Sequence, residues 1–244
     1  GTAGTEISKD SKREVELGIG LPTGLLLLGP PGTGKTLLPR ALSEELKCPL
    51  IVVRLSDIVR GEIGASEKRV RDLFLEAKRA APAVVFIDEF QALFTARGGG
   101  DSSNGSGSTL SAALAGCFDD ISLWNRHAGA ESLITVIAAT NEPWAIDPSF
   151  LRPGRLDKCL LVGPLESEGR AELIARILSE QRSLGQDNGE KSEFVEIAKS
   201  VAQCTDKFSG ADITLLCSRA LHIATRRCLA QSSSVDVRTG VRVV

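Results

Sequence analysis

The chain has 244 residues, 42% of them hydrophobic and 25% charged, which is typical of a globular protein with one large domain or a large domain and a small one. Its formal net charge of −2 argues against a general attraction to nucleic acids or to anionic membranes. No apolar run in the sequence approaches the roughly 18 residues that a membrane-spanning helix needs, and no secretory leader is visible.

The cysteine pattern and the absence of methionine add two expectations. The 6 cysteines include no C-x-x-C pair, so we expect reduced thiols in an intracellular protein. Because the chain has no Met, even at its first position, we expect it to be part of a longer protein or to have been trimmed.

A glycine-rich loop near the start of the chain fits the phosphate-binding pattern G-x-x-x-x-G-K-[ST]. The apolar run before the loop predicts a buried strand, and the stretch from Leu37 onward predicts a helix, which is the context that this pattern needs. The glycines let successive N–H groups face an anion, and the helix turns its positive end towards it. The loop comprises Gly29, Pro30, Pro31, Gly32, Thr33, Gly34, Lys35 and Thr36.

Two side chains at the end of this loop are suited to ATP. We expect Lys35 to reach the outer phosphates and the Thr36 hydroxyl to ligate Mg²⁺. The alternative is a glycine turn that fits the pattern by chance.

Further apolar runs predict four more strands, at residues 50–53, 84–87, 133–139 and 160–162. Helical patterns separate them, so we predict an α/β fold: a P-loop NTPase with a five-stranded parallel sheet covered on both faces. Ligands of such sheets bind at the carboxyl ends of the strands.

Polar residues follow two of these strands. Asp88 is expected to hold Mg²⁺, and Glu89 to act as the base for a water that attacks the γ-phosphate. Asn141 can orient the same water. An acid pair at the end of a strand is weak evidence alone, and Asn141 could be an ordinary turn residue. The phosphate-binding loop upstream strengthens the catalytic interpretation.

After residue 163 the pattern becomes helical. Residues 167–182 and 193–203 predict helices, and Ser209 with Asp212 predicts a capping box at the start of a third. We therefore divide the chain into a large α/β domain, residues 1–163, and a small helical lid domain, residues 164–244, which we expect to be truncated.

At residues 147–157, D-P-S-F-L-R-P-G-R-L-D, the chain resembles an AAA ATPase module of the clade of valosin-containing protein, NSF, nuclear valosin-like protein and the peroxin ATPases. The order and spacing of these residues, of the phosphate-binding loop and of Asp88, Asn141 and Asp212 match. The stretch 216–218, together with residues 157–158 and 162–163, looks closest to second-ring modules of the peroxin and nuclear valosin-like kind. The resemblance covers roughly residues 17–230.

The resemblance implies a ring, usually a homo- or hetero-hexamer, in which ATP or ADP lies between the large domain and the lid. It implies that Arg152 and Arg155 are arginine fingers that reach the nucleotide of the adjacent subunit. It also implies protein substrates or adaptors, and a location in the cytoplasm, in the nucleus or on the cytosolic face of an organelle such as the peroxisome. The nucleotide-binding set then extends beyond the loop to Leu37, Leu173, Ile177, Gly210 and Ala211, although Leu173 and Ile177 could equally be ordinary lid core.

Two departures from the family pattern affect these expectations. Pro39 replaces a helix-forming residue one turn into the helix after the loop, where it removes a backbone donor past the first turn, so we expect a local kink or a looser helix there. Residues 62–64, Glu-Ile-Gly, stand where the family's pore loop has an aromatic residue, an apolar residue and Gly.

Two functional hypotheses remain. The first is an ATP-hydrolysing ring module that remodels, unfolds or translocates proteins, and the intact catalytic residues favour it. The second is an ATP-binding scaffold position with weak substrate grip, which Pro39 and Glu62 favour. A nucleic-acid motor would need a basic track or stacking aromatic residues, and with 4% aromatic residues the sequence predicts no direct nucleic-acid partner.

Overall fold

The computed structural model describes residues 24–59, 65–95, 106–129, 132–182 and 191–235. The chain forms two compact units. The first is built from Gly1–Pro30 and Lys35–Val162, and the second from Pro31–Gly34 and Gly163–Val244.

The first unit is a parallel sheet with helices on both faces. Its strands have the order β2-β3-β4-β1-β5, and every neighbouring pair is parallel. The five predicted strands are therefore confirmed, with bounds shifted by one or two residues. The elements in chain order are β1 (Gly24–Leu28), α1 (Leu37–Leu46), β2 (Leu50–Arg54), α2 (Leu55–Val59), α3 (Ala65–Arg79), β3 (Ala83–Asp88), α4 (Ala92–Thr95), α5 (Ser106–His127), β4 (Ile134–Thr140) and β5 (Lys158–Leu161), with 3₁₀ turns at Pro143–Ala145 and Pro148–Leu151.

The sheet is buried because its central strands are apolar on both faces. In β3, Val84 and Phe86 contribute to one apolar cluster, whereas Val85 and Ile87 contribute to the other. Alternation along a strand sends neighbouring side chains to opposite faces, so an uninterrupted apolar run fits a sheet covered on both sides. Each such side chain contributes roughly 1.5–3 kcal/mol when it is removed from water.

A phenylalanine cluster closes one end of this core. The Phe150 ring lies 5.3 Å from Phe90, 5.6 Å from Phe94 and 5.9 Å from Phe118, measured between centroids, and all three contacts are edge-to-face. Each such pair adds about 0.5–1.5 kcal/mol beyond the area it buries. The cluster fixes the turn after β4 against α5 and against the chain that leaves β3.

Pro39 lies in the first turn of α1, so our expectation that it lies beyond that turn is wrong. The helix begins at Leu37 with Thr36 as its N-cap, which makes Pro39 the third residue of the helix. The first N–H groups of a helix have no partner within it, so a proline here removes no helical hydrogen bond. The buried ring of Pro39 instead adds to the packing of α1.

The second unit is helical, as predicted. Its helices are α6 (Ser167–Arg182), α7 (Lys191–Cys204) and α8 (Gly210–Val235). The buried side chain of Arg170 joins two of them, because it donates to the backbone oxygens of Leu165 at 2.8 Å and Ala202 at 2.9 Å. A small apolar core lies between the helices and consists of Ile174, Ala198, Ala202, Ile213 and Cys217.

The predicted capping box at the start of α8 is confirmed. The Asp212 carboxylate accepts from the Ser209 backbone N–H at 2.9 Å and from its hydroxyl at 2.7 Å. In return the Ser209 hydroxyl accepts from the Asp212 N–H at 3.3 Å. Two N–H groups at the helix end are thereby satisfied.

Within the described part of the chain, none of the helices is long and apolar enough to cross a lipid bilayer.

Candidate functional site

The glycine-rich loop connects β1 to α1 through backbone that only glycine adopts without strain. Gly32 has φ +78° and Gly34 has φ +95°, both in the left-handed region. A side chain on either residue would be strained there. The sequence therefore places glycine where the chain must curl to turn its N–H groups inward.

Lys35 lies at the end of this loop and is only 7% exposed. Its Nζ donates to the backbone oxygens of Gly29 at 2.8 Å and Pro30 at 2.7 Å. Burial lowers the pKa of Lys35, because a buried ammonium is less stable in its charged form, while the Asp88 carboxylate acts in the opposite direction. The cation is thus held inside the loop, where phosphate oxygens could replace the two carbonyl oxygens.

Thr36 and Asp88 form a pair suited to Mg²⁺. The Thr36 hydroxyl donates to Oδ2 of Asp88 at 3.2 Å, so these oxygens from two different elements already lie together. Hydroxyl and carboxylate oxygens are ligands that Mg²⁺ prefers, and one or two protein ligands suffice when phosphates and waters supply the rest. Among the described residues no three His, Cys, Asp or Glu side chains group as they would around a metal held by protein alone.

Glu89 follows Asp88 in an unusual backbone conformation. Its φ is +52°, a left-handed value that strains a residue other than glycine by on the order of 1 kcal/mol. Hydrogen bonds on both sides hold it there: Glu89 N–H donates to Oδ1 of Asp88 at 3.0 Å, and Ala92 N–H donates to the Glu89 oxygen at 2.8 Å. The exposed carboxylate is available to accept a proton from water.

Asn141 is exposed directly after β4, and the residue before it is part of a link that the sequence analysis missed. The Thr140 hydroxyl is buried and bonds the Gln91 side chain at 2.9 Å. It also accepts from the Glu142 N–H at 3.0 Å. The link ties the segment that carries Glu89 to the strand that positions Asn141. A threonine at the end of an apolar strand signals a buried polar group that needs a partner, but it does not identify the partner.

Arg152 and Arg155 differ sharply, although the sequence interpretation treated them alike. Arg152 is exposed. Arg155 pairs with Asp119 of its own chain through two bonds of 2.8 Å, and it donates to the Ser149 oxygen at 3.0 Å. The hydrogen bond with Asp119 raises the pKa of Arg155. Insertion of either arginine into a neighbouring subunit stays a prediction.

The other predicted nucleotide contacts lie in the second unit, apart from Leu37, which is exposed at the start of α1. Ala211 N–H donates to the Gly32 oxygen at 3.2 Å within this unit, which includes residues 31–34. Leu173 and Ile177 are half-buried and pack against the helical core. Both interpretations of these two residues, adenine contact and lid core, therefore remain open. Residues 62–64 lie outside the described part of the chain.

Comparisons with known proteins agree with this geometry. Residues 25–164 match the family described as "ATPase family associated with various cellular activities (AAA)", and residues 195–239 match the AAA+ lid domain.

Several similar proteins carry the name ATP-dependent zinc metalloprotease FtsH. The one from Streptococcus pneumoniae is 39% identical over 233 residues, which are 95% of this chain and 33% of that protein. The one from Caldicellulosiruptor bescii is 36% identical over 236 residues, 97% of this chain and 36% of that protein. The chain thus spans about a third of the length of these relatives.

Proposed function

Because the chain belongs to the AAA family of ATPases, we propose that it hydrolyses ATP as one module of a ring, usually a hexamer, that remodels, unfolds or translocates proteins. An AAA domain with its lid is an ATP-hydrolysing enzyme module, and ATP and Mg²⁺ are its cofactors. The observation that carries the proposal is the arrangement of Lys35 and Thr36 after β1 with Asp88 and Glu89 at the end of β3, the two parallel strands that flank β4.

Each of these residues has a chemical task in the proposal. Lys35 binds the outer phosphates once its contacts with the loop carbonyls are exchanged. Thr36 and Asp88 would hold Mg²⁺, which offsets the negative charge of the phosphates when it is bound. Glu89 accepts a proton from the attacking water, and Asn141 orients that water. Arginine from a neighbouring subunit stabilises the charge of the transition state.

Polypeptide is the substrate class that we propose. The relatives are named as ATP-dependent zinc metalloproteases, and proteins are what such enzymes act on. The balanced charge of the chain gives no support for nucleic acid as a partner.

Two further proposals, on the type of ring module and on where in the cell the protein acts, rest on the sequence alone. The resemblance of residues 157–158, 162–163 and 216–218 favours a module of the second-ring type, as in the peroxin and nuclear valosin-like ATPases, whereas the relatives named above are FtsH proteins. We propose a site of action in the cytoplasm, in the nucleus or on the cytosolic surface of an organelle such as the peroxisome.

The second candidate function is an ATP-binding scaffold position in a ring, with weak or no grip on substrate. Glu62 in place of the family's aromatic pore residue favours it. Pro39 no longer does, since it lies in the first turn of α1.

Steady-state hydrolysis measured against protein concentration tests the proposal. If sites are completed by neighbours, turnover per subunit should rise with concentration and then level off as rings form. Lys35→Ala should abolish turnover and nucleotide binding, whereas Lys68→Ala on the exposed face of α3 should change neither. Tight ATP binding without turnover in the assembled parent ring would instead support the scaffold.

A further inference from the structure

Arg155 is the most firmly held side chain of the turn formed by residues 152–155, which we name the arginine turn. Its guanidinium makes the paired bonds to Asp119 and the bond to the Ser149 oxygen, and it lies 5.7 Å from the Phe150 ring centroid. The side chain is 18% exposed. A planar guanidinium that binds a carboxylate through two parallel bonds has a fixed orientation.

The backbone of the arginine turn is fixed as well. Arg155 N–H donates to the Arg152 oxygen at 3.1 Å and closes the turn. Gly154 has φ +87°, and a Cβ at this position would lie 2.9 Å from the Ser122 hydroxyl. Ser122 follows Asp119 by one helical turn in α5, so one face of this helix holds both ends of the contact.

Arg152 has the opposite surroundings, although it lies on the same turn. Its side chain is exposed, and no hydrogen bond or ion pair connects it to the part of the chain that the structure describes. Arg152 therefore extends from a fixed backbone turn, and its guanidinium is available to bind another molecule.

We propose that Arg155 is a positioning residue that clamps the arginine turn to Asp119 of its own subunit, and that Arg152 alone enters the nucleotide site of the neighbouring subunit. The inference rests on the proposed function, since it assigns the two arginines different tasks within one ring. It replaces the interpretation of both as arginine fingers.

Charge is the physical reason for this division. To reach a neighbouring subunit, Arg155 would have to break its two charge-assisted hydrogen bonds to Asp119 and its hydrogen bond to the Ser149 carbonyl oxygen. It would also lose its cation–π contact with the Phe150 ring. While it stays with Asp119, the carboxylate offsets its positive charge, so it would add little stabilisation to a phosphate. Arg152 needs no such exchange, and a rigid turn reduces the entropy lost when its guanidinium is placed.

The clamp predicts that Asp119 and Arg155 act as one unit. In the assembled ring of the full chain, Arg152→Ala should lower kcat for ATP on the order of a hundred- to a thousandfold. Arg155→Ala and Asp119→Ala should each lower kcat about tenfold or more, with KM changed less than about twofold, because the finger is misplaced rather than lost. The double variant should be no slower than the slower single one.

Three comparisons separate the clamp from other roles. Asp120→Ala removes the adjacent exposed carboxylate, whose contact with Lys78 is 4.0 Å, and should leave kcat unchanged. Mixing Arg155→Ala subunits with Lys35→Ala subunits should restore turnover, because the latter offer an intact arginine turn to the former. Arg155→Lys keeps the charge but not the paired bonds and should have an intermediate kcat.

Two results would overturn the clamp. If Asp119→Ala turns over ATP at the parent rate or faster while Arg155→Ala is as slow as Arg152→Ala, then Arg155 is itself a finger. If mixed rings that demonstrably contain both subunits show no restored turnover for Arg155→Ala, the defect lies in its own subunit and Arg155 has only a structural role there.

Thermal unfolding distinguishes failure of the clamp from failure of the proposed function. Because the pair exists without ATP, the falls in Tm of Asp119→Ala and Arg155→Ala should overlap in the double variant rather than add. Additive falls in Tm reject the clamp whatever the ATPase result. A parent ring without turnover rejects the proposed function, and overlapping falls in Tm would then still support the Asp119–Arg155 contact.

Discussion

Glu89 joins a strained backbone to an exposed carboxylate, which is the combination expected where a residue is placed for chemistry rather than for stability. Glu89→Gln should retain ATP binding and lose turnover by several orders of magnitude, because the amide keeps the shape but cannot accept the proton. Nucleotide titration together with single-turnover hydrolysis measures both properties. Hydrolysis at the parent rate would exclude Glu89 as the base.

Two further variants separate the strain at Glu89 from its chemistry. Glu89→Gly should raise the free energy of unfolding by up to about 1 kcal/mol, since glycine adopts a φ of +52° readily, and it should also abolish turnover. Glu76→Gln, on the exposed face of α3, is the matched control and should affect neither property.

Gln91 and Thr140 form the second residue pair that we expect to matter for catalysis without touching the substrate. Thr140→Val keeps the shape but leaves the Gln91 side chain without its 2.9 Å partner, and it should lower kcat about three- to tenfold with ATP affinity nearly unchanged. Gln91→Ala should have a similar effect, and the double variant should resemble the worse single one. Steady-state kinetics and nucleotide titration provide these values.

The control for this pair is Thr225→Val, which removes a threonine hydroxyl that donates to a backbone oxygen 2.9 Å away on α8. It should leave kcat at the parent value. Losses that add fully in the Gln91→Ala/Thr140→Val double variant would mean that the two side chains act independently.

At the scale of single elements, α1 shows why the position of a proline matters more than its presence. Pro39→Ala should lower the free energy of unfolding by only about 1–2 kcal/mol, because it loses the packing of the buried ring but Pro39 removes no hydrogen bond from the first turn. Ala41→Pro, two residues further along the same helix, should lose about 3 kcal/mol or more. Denaturant unfolding of the two variants compares the positions directly. Equal losses would place the start of the helix before Leu37.

The start of α8 permits a prediction with a pH dependence. Ser209→Ala should lower the stability of the second unit by roughly 1 kcal/mol, as expected for the loss of an N-cap, whereas Ser218→Ala in the exposed middle of the same helix should have little effect. Thermal unfolding of both variants at neutral and acidic pH checks the cap and its dependence on charge.

The sign of that dependence follows from Asp212. Hydrogen bonds from Ser209 lower the pKa of Asp212, so the stabilisation is complete above the pKa of the unfolded chain and is lost as pH falls through the lower pKa of the folded state. The difference in Tm between the parent and Ser209→Ala should therefore be constant near pH 7 and shrink in acid. A difference that grew in acid would mean that the carboxylate is not part of the cap.

These elements also show what the sequence could and could not predict. The central strands were predictable because their apolar runs are buried on both faces, and the capping box because its partners are three residues apart. The ends of elements shifted because hydrogen bonding, not apolarity, decides where a strand or helix stops. The start of α5 at Ser106, within a Gly- and Ser-rich stretch, gave no periodic signal.

Some residues of the candidate site could likewise be predicted from the sequence, and others could not. Lys35 and Thr36 lie in a local pattern, and Asp88 and Glu89 follow an apolar strand, so each could be found without knowing the fold. Arg155 and Asp119 are 36 residues apart, and Gln91 and Thr140 are 49 apart, so each pair meets only because of the packing of α5 or the register of β3 and β4. Composition and spacing carry no information about such pairs.

At the scale of the whole molecule, the remaining question is whether the ring that we propose grips its substrate. The resemblance implies that the loop around Glu62 belongs to the central channel of the ring, where an aromatic side chain would pack on any polypeptide. Glu62 presents a charge instead, and several of them in a ring would repel one another and acidic substrates. We therefore predict a module that hydrolyses ATP but pulls weakly, so that another module or ring position holds the substrate.

Glu62→Tyr in the assembled ring is the discriminating change, because it restores a flat apolar surface without altering the nucleotide site. Unfolding of a tagged model substrate should become faster while basal ATP hydrolysis stays the same, and crosslinks from this loop to the substrate should increase. Glu76→Tyr, which adds the same ring to the exposed face of α3, is the matched control and should leave unfolding unchanged. If Glu62→Tyr and Ile63→Ala both leave substrate unfolding and crosslinking at parent values, this loop does not contact the substrate, and the weak grip must have another cause.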